Sequence, residues 1–209
     1  MTAVRTVSTD VGDARLYADR AKYPIAALAL GHGAGRGVDS PDLVALAKAL
    51  PKLGITVFRI EQPWVVAGKK VAPRPEIIDV GTIAGLNAIR VRTPLIVGGR
   101  SAGARSACRV ARKMGAVGCV ALSFPLHPPG RPESTRLPEL RGVGLPTLVV
   151  QGARDAFGTP QEFPASTDLV AVPDADHGFA VPARAALSRE ETLALIVEAV
   201  HGWVMARID

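Results

Sequence analysis

Cysteine and aromatic residues are scarce in this chain of 209 residues. The two cysteines, Cys108 and Cys119, make neither a disulfide framework nor a Cys/His cluster for a metal. We therefore expect no metal, no cofactor, and two thiols that are buried like small hydrophobic side chains. Aromatic residues make up 4% of the chain although hydrophobic residues make up 48%, so its core must consist mainly of Ala, Val, Leu and Ile.

Long apolar runs are also missing. The first clear one, residues 25–30, is far shorter than the roughly 20 residues that a membrane-spanning helix needs. The N-terminus has no basic stretch followed by an apolar one, so the sequence predicts no secretion signal. These absences favour a cytoplasmic protein without a membrane partner.

Charge is unbalanced but not clustered. Lys and Arg number 25 against 19 Asp and Glu, a formal net charge of +6, which admits a nucleic-acid-binding protein as an alternative. The basic residues are dispersed, however, and no run of them is interleaved with aromatic residues. This pattern favours a solvated basic surface and no nucleic-acid partner. Strongly salt-dependent binding to DNA or RNA would favour the alternative.

Strand and helix signals alternate from about residue 25 onwards. Apolar segments predict strands at 25–30, 55–60, 94–97, 117–122, 146–150 and 168–172. Helices are predicted from Pro41 behind a Ser40 cap, over 76–90, after residue 101, and behind a Ser188/Glu191 capping box. This alternation predicts an α/β fold: a doubly wound, mostly parallel sheet flanked by helices in three layers, as a single domain over residues 1–209.

Two short segments and two proline-rich stretches complete the predicted organisation. Residues 4–8 and 14–17 predict an antiparallel hairpin at one edge of the sheet. The stretches 63–75 and 125–138 each follow a strand, on the side where a doubly wound sheet binds its ligand. Neither stretch is long enough for a helical lid, so we expect no cap domain.

The segment Gly99-Arg100-Ser101-Ala102-Gly103 matches the pattern G-x-S-x-G. It lies between a predicted strand and a predicted helix, which is the context that a nucleophile elbow needs. So tight a turn requires small neighbours, raises the serine hydroxyl above the sheet and puts it at a helix N-terminus, where developing negative charge is favoured. A serine that merely caps a helix would have a similar sequence. The pattern therefore indicates a nucleophile only if a base and an acid accompany the serine.

A candidate acid and a candidate base follow two later strands. Asp155 follows the strand predicted to end near residue 150, and His177 follows the one predicted to end near residue 172. A serine nucleophile needs a base, and the base needs a carboxylate that orients it. The chain order of Ser101, Asp155 and His177 is one that known serine hydrolases use. Asp174 and Asp176 are alternatives for the acid, although Asp176 adjoins His177 and is poorly placed to reach its ring.

A glycine-rich loop, GHGAG at residues 31–35, follows the first core strand. It resembles an oxyanion loop, and we expect the backbone N–H groups of Ala34 and Ala102 to form an oxyanion hole beside Ser101. A phosphate-binding loop is the rival interpretation. The glycine spacing fits neither G-x-G-x-x-G nor the Walker pattern, which disfavours a nucleotide site.

These segments together resemble the α/β-hydrolase superfamily, in particular its small dienelactone-hydrolase-like branch without a cap domain. From about residue 25 the chain contains, in the order of a bacterial group within that branch, GHGAG, GGRSAG, FPLHPPG, QGARD and DADHGF. The resemblance implies a serine hydrolase. Dienelactone hydrolase itself has a cysteine nucleophile where this chain has Ser101, so the resemblance leaves ester, thioester and peptide-like acyl groups open.

Several further residues are candidates for substrate contacts: His32, Trp64, Arg100, Phe124 and His127. Alternatively, His32 shapes the oxyanion loop, Trp64 is a packing plug and His127 stiffens a proline-rich loop. Arg100, Arg36 and Arg131 together suggest an electropositive cleft for an anionic substrate. Three surface arginines without that role are the alternative.

We therefore expect a serine hydrolase of the carboxylesterase or thioesterase kind. Its partner would be a small-molecule acyl substrate, cleaved through an acyl-enzyme on Ser101. The alternative from another class is a non-catalytic α/β-hydrolase fold used for binding or as a scaffold. The sequence leaves the natural substrate and the oligomeric state open.

Overall fold

The computed structural model describes residues 2–35 and 37–208, and these residues form one eight-stranded sheet. Its strands are β1 (Ala3–Val7), β2 (Ala14–Asp19), β3 (Ala26–Gly31), β4 (Ile55–Glu61), β5 (Leu95–Arg100), β6 (Gly118–Leu122), β7 (Thr147–Gly152) and β8 (Asp168–Val172). They lie in the order β1-β2-β4-β3-β5-β6-β7-β8. β2 pairs antiparallel with β1 and β4, and the other pairs are parallel. The predicted sheet and its edge hairpin are confirmed.

Helices cover both faces of this sheet. They are α1 (Pro41–Ala49), α2 (Pro63–Val66), α3 (Pro75–Ala88), α4 (Ala102–Val110), α5 (Leu137–Arg141) and α6 (Arg189–Ile208). One face packs against α1 and α6, and the other against α3, α4 and α5. Within the described residues neither proline-rich stretch forms a cap domain, because the first holds only the single turn of α2 and the second leads into α5. No helix of this part of the chain combines the length and apolarity needed to cross a bilayer.

The central strand β3 is buried along its whole length and presents different side chains to the two helical layers. Leu28 and Leu30 pack with α1 and α6, whereas Ala27 and Ala29 pack on the side of α4, as the two-residue period of a strand requires. Ala107 of α4 is likewise fully buried. Short side chains on both surfaces let α4, and with it the turn before it, lie close to the sheet.

Both cysteines lie in that same layer. Cys108 on α4 is 3% exposed and Cys119 on β6 is 0% exposed, which confirms that they are core residues. The neighbouring Cys119 thiol and burial together raise the pKa of Cys108.

The predicted helix starts at Ser40 and Ser188 are found, but only one of the two serines caps through its side chain. Glu191 N–H donates to Ser188 Oγ at 3.2 Å, and Ser188 N–H donates to the Glu191 carboxylate at 2.8 Å. Ser40 holds the N-cap position before Pro41 without a side-chain capping hydrogen bond. The proline at the first helical position is therefore the signal that located α1 correctly.

The inner face of α6 contains Ile196, Val200 and Val204, each 0% exposed. Trp203 is 8% exposed and packs into the same part of the core. Its ring occupies space beside β6 where any side chain at Gly118 would collide with it. The indole N–H donates to the Asp168 carboxylate at 2.6 Å, so the ring's polar edge also has a partner.

Candidate active site

The turn after β5 carries Ser101 into α4. Ser101 has φ 52° and ψ −113°, a conformation that costs a residue with a side chain about 1–3 kcal/mol. Its N–H donates to the carbonyl of Leu122 on β6 at 3.0 Å, which anchors the turn to the sheet. The result is a partly exposed hydroxyl at the carboxyl edge of the central strands.

Three glycines explain how the backbone can pass so closely here. A Cβ at Gly99 would lie 2.6 Å from the carbonyl carbon of Gly103 and 2.7 Å from the carbonyl oxygen of Gly31. Real side chains essentially never make contacts this short. β3, the end of β5 and the start of α4 therefore cross at a point that admits no side chain, and both glycines of the G-x-S-x-G pattern are required by the crossing.

Ser101, His177 and Asp155 lie in hydrogen-bonding contact with one another. His177 Nε2 is 2.9 Å from Ser101 Oγ, and His177 Nδ1 is 2.8 Å from Asp155 Oδ2. The Asp155 side chain is 0% exposed, whereas that of His177 is 21% exposed. A buried carboxylate at Nδ1 favours the tautomer with a proton on Nδ1, which leaves Nε2 free to accept from the serine hydroxyl.

The Asp155 carboxylate is held by further donors. Gln151 Nε2 donates to Oδ2 at 2.9 Å, and the N–H of Phe157 donates to Oδ1 at 2.8 Å. The loops that carry the acid and the base also touch, since a Cβ at Gly152 would lie 2.7 Å from the carbonyl oxygen of Asp176. The acid and the base are therefore brought together by close backbone packing at the ends of β7 and β8.

The two segments that carry the backbone donors predicted for an oxyanion hole both lie next to Ser101. Ala102 is the first residue of α4, so its N–H has no acceptor inside the helix. The loop after β3 approaches from the other side, because a Cβ at Gly33 would lie 3.3 Å from Ser101 Cβ. Ala34 follows Gly33 and is exposed.

The family is decided by a match over most of the chain. The model of a family described as "Alpha/beta hydrolase domain" matches residues 24–205. The chain belongs to the α/β-hydrolase family. No curated protein matches it.

Solved structures share this fold at low sequence identity. XC6422 from Xanthomonas campestris, described as an α/β serine hydrolase without lid, is 20% identical with a TM-score of 0.74, covering 99% of this chain and 95% of that one. Est1E from Butyrivibrio proteoclasticus is 16% identical with a TM-score of 0.73 and 98% of each chain covered. Dienelactone hydrolase from Anabaena variabilis is 18% identical with a TM-score of 0.75, covering 100% and 99%. This chain thus shares its fold with these solved structures, of which XC6422 is described as having no lid.

Two candidates for substrate contacts in this α/β hydrolase are fully buried. His32 is 0% exposed: its Nδ1 lies 2.7 Å from the Gly33 carbonyl oxygen, and its Nε2 accepts from the N–H of Gln62 at 3.0 Å. Phe124 is also 0% exposed. Neither side chain is exposed in this structure, and a substrate contact for either stays a prediction. The contacts of His32 support the glycine-rich loop, which fits the structural alternative.

Trp64 and His127 are nearly buried, and each packs against a neighbouring segment. The Trp64 ring, 5.1 Å from that of His32 between centroids, meets it edge-on at 60°. His127 Nε2 lies 2.8 Å from the Glu162 carboxylate, and Nδ1 lies 2.9 Å from the Pro128 carbonyl oxygen. Hydrogen bonding to Pro128, and then to Glu162, raises the pKa of His127, although burial opposes the rise. Both positions fit the structural alternatives, and a substrate contact for either stays a prediction.

The three arginines of the suggested electropositive cleft have different surroundings. Arg100 is 7% exposed and pairs with Asp42, Arg131 is exposed in the loop after β6, and Arg36 lies outside the described residues. The positive charge of Arg100 is thus compensated from within the protein. An anionic substrate stays a hypothesis.

The structure also bears on the competing acid and on residues that the sequence did not indicate. Asp176 Oδ1 accepts hydrogen bonds from the N–H groups of Gly178 and Ala180 at 2.7 and 2.9 Å, so it shapes the turn around His177.

The Phe157 ring lies against the His177 imidazole with 4.2 Å between centroids. Phe157 lies two residues after Asp155, and that proximity in sequence was the only signal for it.

Proposed function

We propose that this chain is a serine hydrolase that cleaves small esters or thioesters through an acyl-enzyme on Ser101. The contact chain from Ser101 Oγ through His177 to Asp155 is the observation that supports this most directly. Its three members come from three loops at one edge of the sheet. A protein that used the fold only as a scaffold would have no need of that geometry.

In the first half-reaction His177 Nε2 accepts the proton of Ser101 as Oγ attacks the acyl carbonyl carbon. Asp155 keeps the Nδ1 proton in place and stabilises the imidazolium that forms. The N–H groups of Ala102 and Ala34 receive the negative charge on the carbonyl oxygen, and the N-terminus of α4 favours it. His177 then protonates the departing alkoxide or thiolate.

The second half-reaction uses the same groups with water as the nucleophile. His177 Nε2 takes a proton from water, whose oxygen attacks the acyl carbon of the Ser101 ester. The tetrahedral intermediate collapses as the proton passes to Ser101 Oγ, which frees the carboxylic acid. Since no cap covers the described residues, the reaction centre is open, and we infer a preference for short acyl groups or accessible esters over long lipid chains.

Covalent labelling with a fluorophosphonate tests the proposal. The probe phosphonylates an activated serine, so intact mass should show one adduct on the wild type and none on Ser101→Ala. Ser134→Ala, which removes an exposed serine of the loop after β6, should keep the adduct. Absence of an adduct on folded wild-type protein, together with no turnover of p-nitrophenyl esters, would contradict the proposal and favour the scaffold alternative.

A substrate panel then defines the acyl group. We expect p-nitrophenyl acetate and butyrate to be turned over faster than the palmitate ester. The structural neighbour Est1E has been described with ferulic acid bound, so a feruloyl ester and a short acyl thioester complete the panel. Preference for the palmitate ester would contradict the open cleft.

A further inference from the structure

Arg100, the residue before the proposed nucleophile, connects two parts of the site. Its side chain is 8% exposed, and its Nε lies 3.4 Å from Oδ2 of Asp42, whose side chain is 1% exposed. At the other end of the guanidinium, Nη2 donates to the main-chain carbonyl oxygen of His177 at 2.7 Å. One buried side chain thus joins the first turn of α1, the elbow and the loop of the proposed base.

The same side chain also lies against the glycine-rich loop, since a Cβ at Gly33 would be 3.0 Å from Arg100 Nη1. A guanidinium can make these contacts together because its donors lie in a rigid planar fork, which a lysine ammonium lacks. Burial raises the pKa of Asp42, and the positive charge of Arg100 acts against that rise. Arg100 Nε and Asp42 Oδ2 therefore face each other as an ion pair at 3.4 Å, and neither atom has a hydrogen-bond partner among the described residues.

The imidazole of His177 is already fixed by Asp155 and Phe157, but those contacts act on the ring. The contact from Arg100 acts on the main chain of His177 and originates at the residue covalently bonded to Ser101. We propose that Arg100, anchored by Asp42, is a positioning residue that sets the distance between Ser101 and His177. This role rests on the function proposed above. A displacement of about 1 Å between reacting groups can cost 10²-fold in rate.

A cavity beside the guanidinium offers a direct test. It has a volume of about 450 Å³ and is lined by residues that include Arg100, Pro41, Asp176, Phe179 and Arg189. Truncation of Arg100 would extend this cavity to the Asp42 carboxylate. Free guanidinium ion could then enter and replace the missing group, which would not occur if Arg100 only filled space.

The experiment compares fluorophosphonate labelling kinetics of the wild type and Arg100→Ala. We expect the maximal labelling rate, kinact, to fall about 10- to 100-fold while the half-saturating probe concentration changes less than about twofold. Guanidinium chloride, far below denaturing concentrations, should restore part of kinact in a saturable way, whereas sodium chloride and urea should not. The matched control is Arg105→Ala, on the helix α4 that follows the elbow and paired with Glu139 at 2.6 Å, which should keep wild-type kinact and show no guanidinium effect.

Each outcome separates this inference from the proposed function. An unlabelled wild type would contradict the proposed function itself. Wild-type kinact in Arg100→Ala, or a loss that guanidinium does not restore, would overturn the positioning role while leaving the nucleophile in place. If Arg100→Ala does not fold, the double variant Arg100→Ala with Asp42→Asn removes the unpaired carboxylate. Low kinact in that folded variant, without guanidinium rescue because the anion is gone, supports the role, and wild-type kinact overturns it.

Discussion

At the scale of single residues, the backbone around Ser101 limits the site more than any side chain does. Ser101 keeps a left-handed φ, and the chain on either side of it passes within contact distance of β3. This crossing is possible only because glycine has no Cβ.

Adding one methyl group at the crossing should therefore be costly. Gly99→Ala would place a Cβ 2.6 Å from the Gly103 backbone, and we expect the free energy of unfolding to fall by about 1–3 kcal/mol. Urea titration followed by circular dichroism measures this change. The matched control is Gly202→Ala in α6, where a Cβ meets nothing within 4 Å; it should stabilise the protein by about 0.5–1 kcal/mol. Equal effects of the two substitutions would contradict the close crossing.

Ser101, Asp155 and His177 could be predicted from the sequence, but the side chains that support them could not. Ser101, Asp155 and His177 each follow a strand, and the carboxyl ends of parallel strands meet at one edge. By contrast, Asp42 on α1 reaches Arg100 at the end of β5, and such pairings depend on how segments distant in sequence pack. The burial of His32 against Gln62 could not be predicted for the same reason, because no local sequence pattern indicates it.

At the scale of elements, most strands and helices follow from apolar periodicity and from proline at helix starts. The end of β5 was harder, since Gly98-Gly99-Arg100 has the composition of a turn. These residues nevertheless pair with β6, Arg100 opposite Leu122, because the close approach of Val120 at Gly98 suits a residue without a side chain. Composition alone cannot distinguish that case from a loop.

The contact between His127 and Glu162 links two loops and should make stability depend on pH. Hydrogen bonding raises the pKa of His127, mainly at the Pro128 carbonyl, and lowers that of Glu162, mainly at the Thr159 N–H. A raised histidine pKa stabilises the fold below the unfolded value of about 6.5 and loses this effect as pH rises through the folded pKa. A lowered glutamate pKa stabilises the fold above about 4.3 and loses the effect on acidification.

The pair should therefore contribute most between about pH 4.5 and 6.5. We expect His127→Gln to lower the free energy of unfolding relative to wild type by less than about 1 kcal/mol at pH 6 and by a smaller amount at pH 9. Urea titrations at both pH values measure the difference, and Glu162→Gln should behave alike. A deficit that is equal at both pH values, or larger at pH 9, would contradict the ion pair.

At the scale of the whole molecule, the core has few aromatic side chains and relies on close helix–sheet contact. The layer between α4 and the sheet contains Ala104, Ala107 and Ala111, each 0% exposed. Such a layer leaves no path to its interior unless the helix separates from the sheet.

The reactivity of the two buried thiols, Cys108 and Cys119, measures whether α4 separates from the sheet. Contact with Cys119, and then burial, raises the pKa of Cys108 well above its ordinary value. In the folded state the thiols are therefore inaccessible to reagents, and the reactive thiolate form is disfavoured. We expect Ellman's reagent to react with two thiols per chain in urea and, in native buffer, only as fast as the chain unfolds. Ser134→Cys adds an exposed thiol that should react at once. Rapid reaction of the native wild-type cysteines would show that α4 opens locally.

The crossing of β3, β5 and α4 also divides the chain into positions that tolerate mutation and positions that do not. Residues 99 and 103 must remain glycine for steric reasons that are independent of the substrate. The loops after β4 and β6 begin at the same edge of the sheet, and their residues 67–71 and 129–135 are exposed. A directed-evolution library for altered acyl preference should therefore randomise these exposed residues and keep the elbow invariant, because most variants of the elbow would not fold.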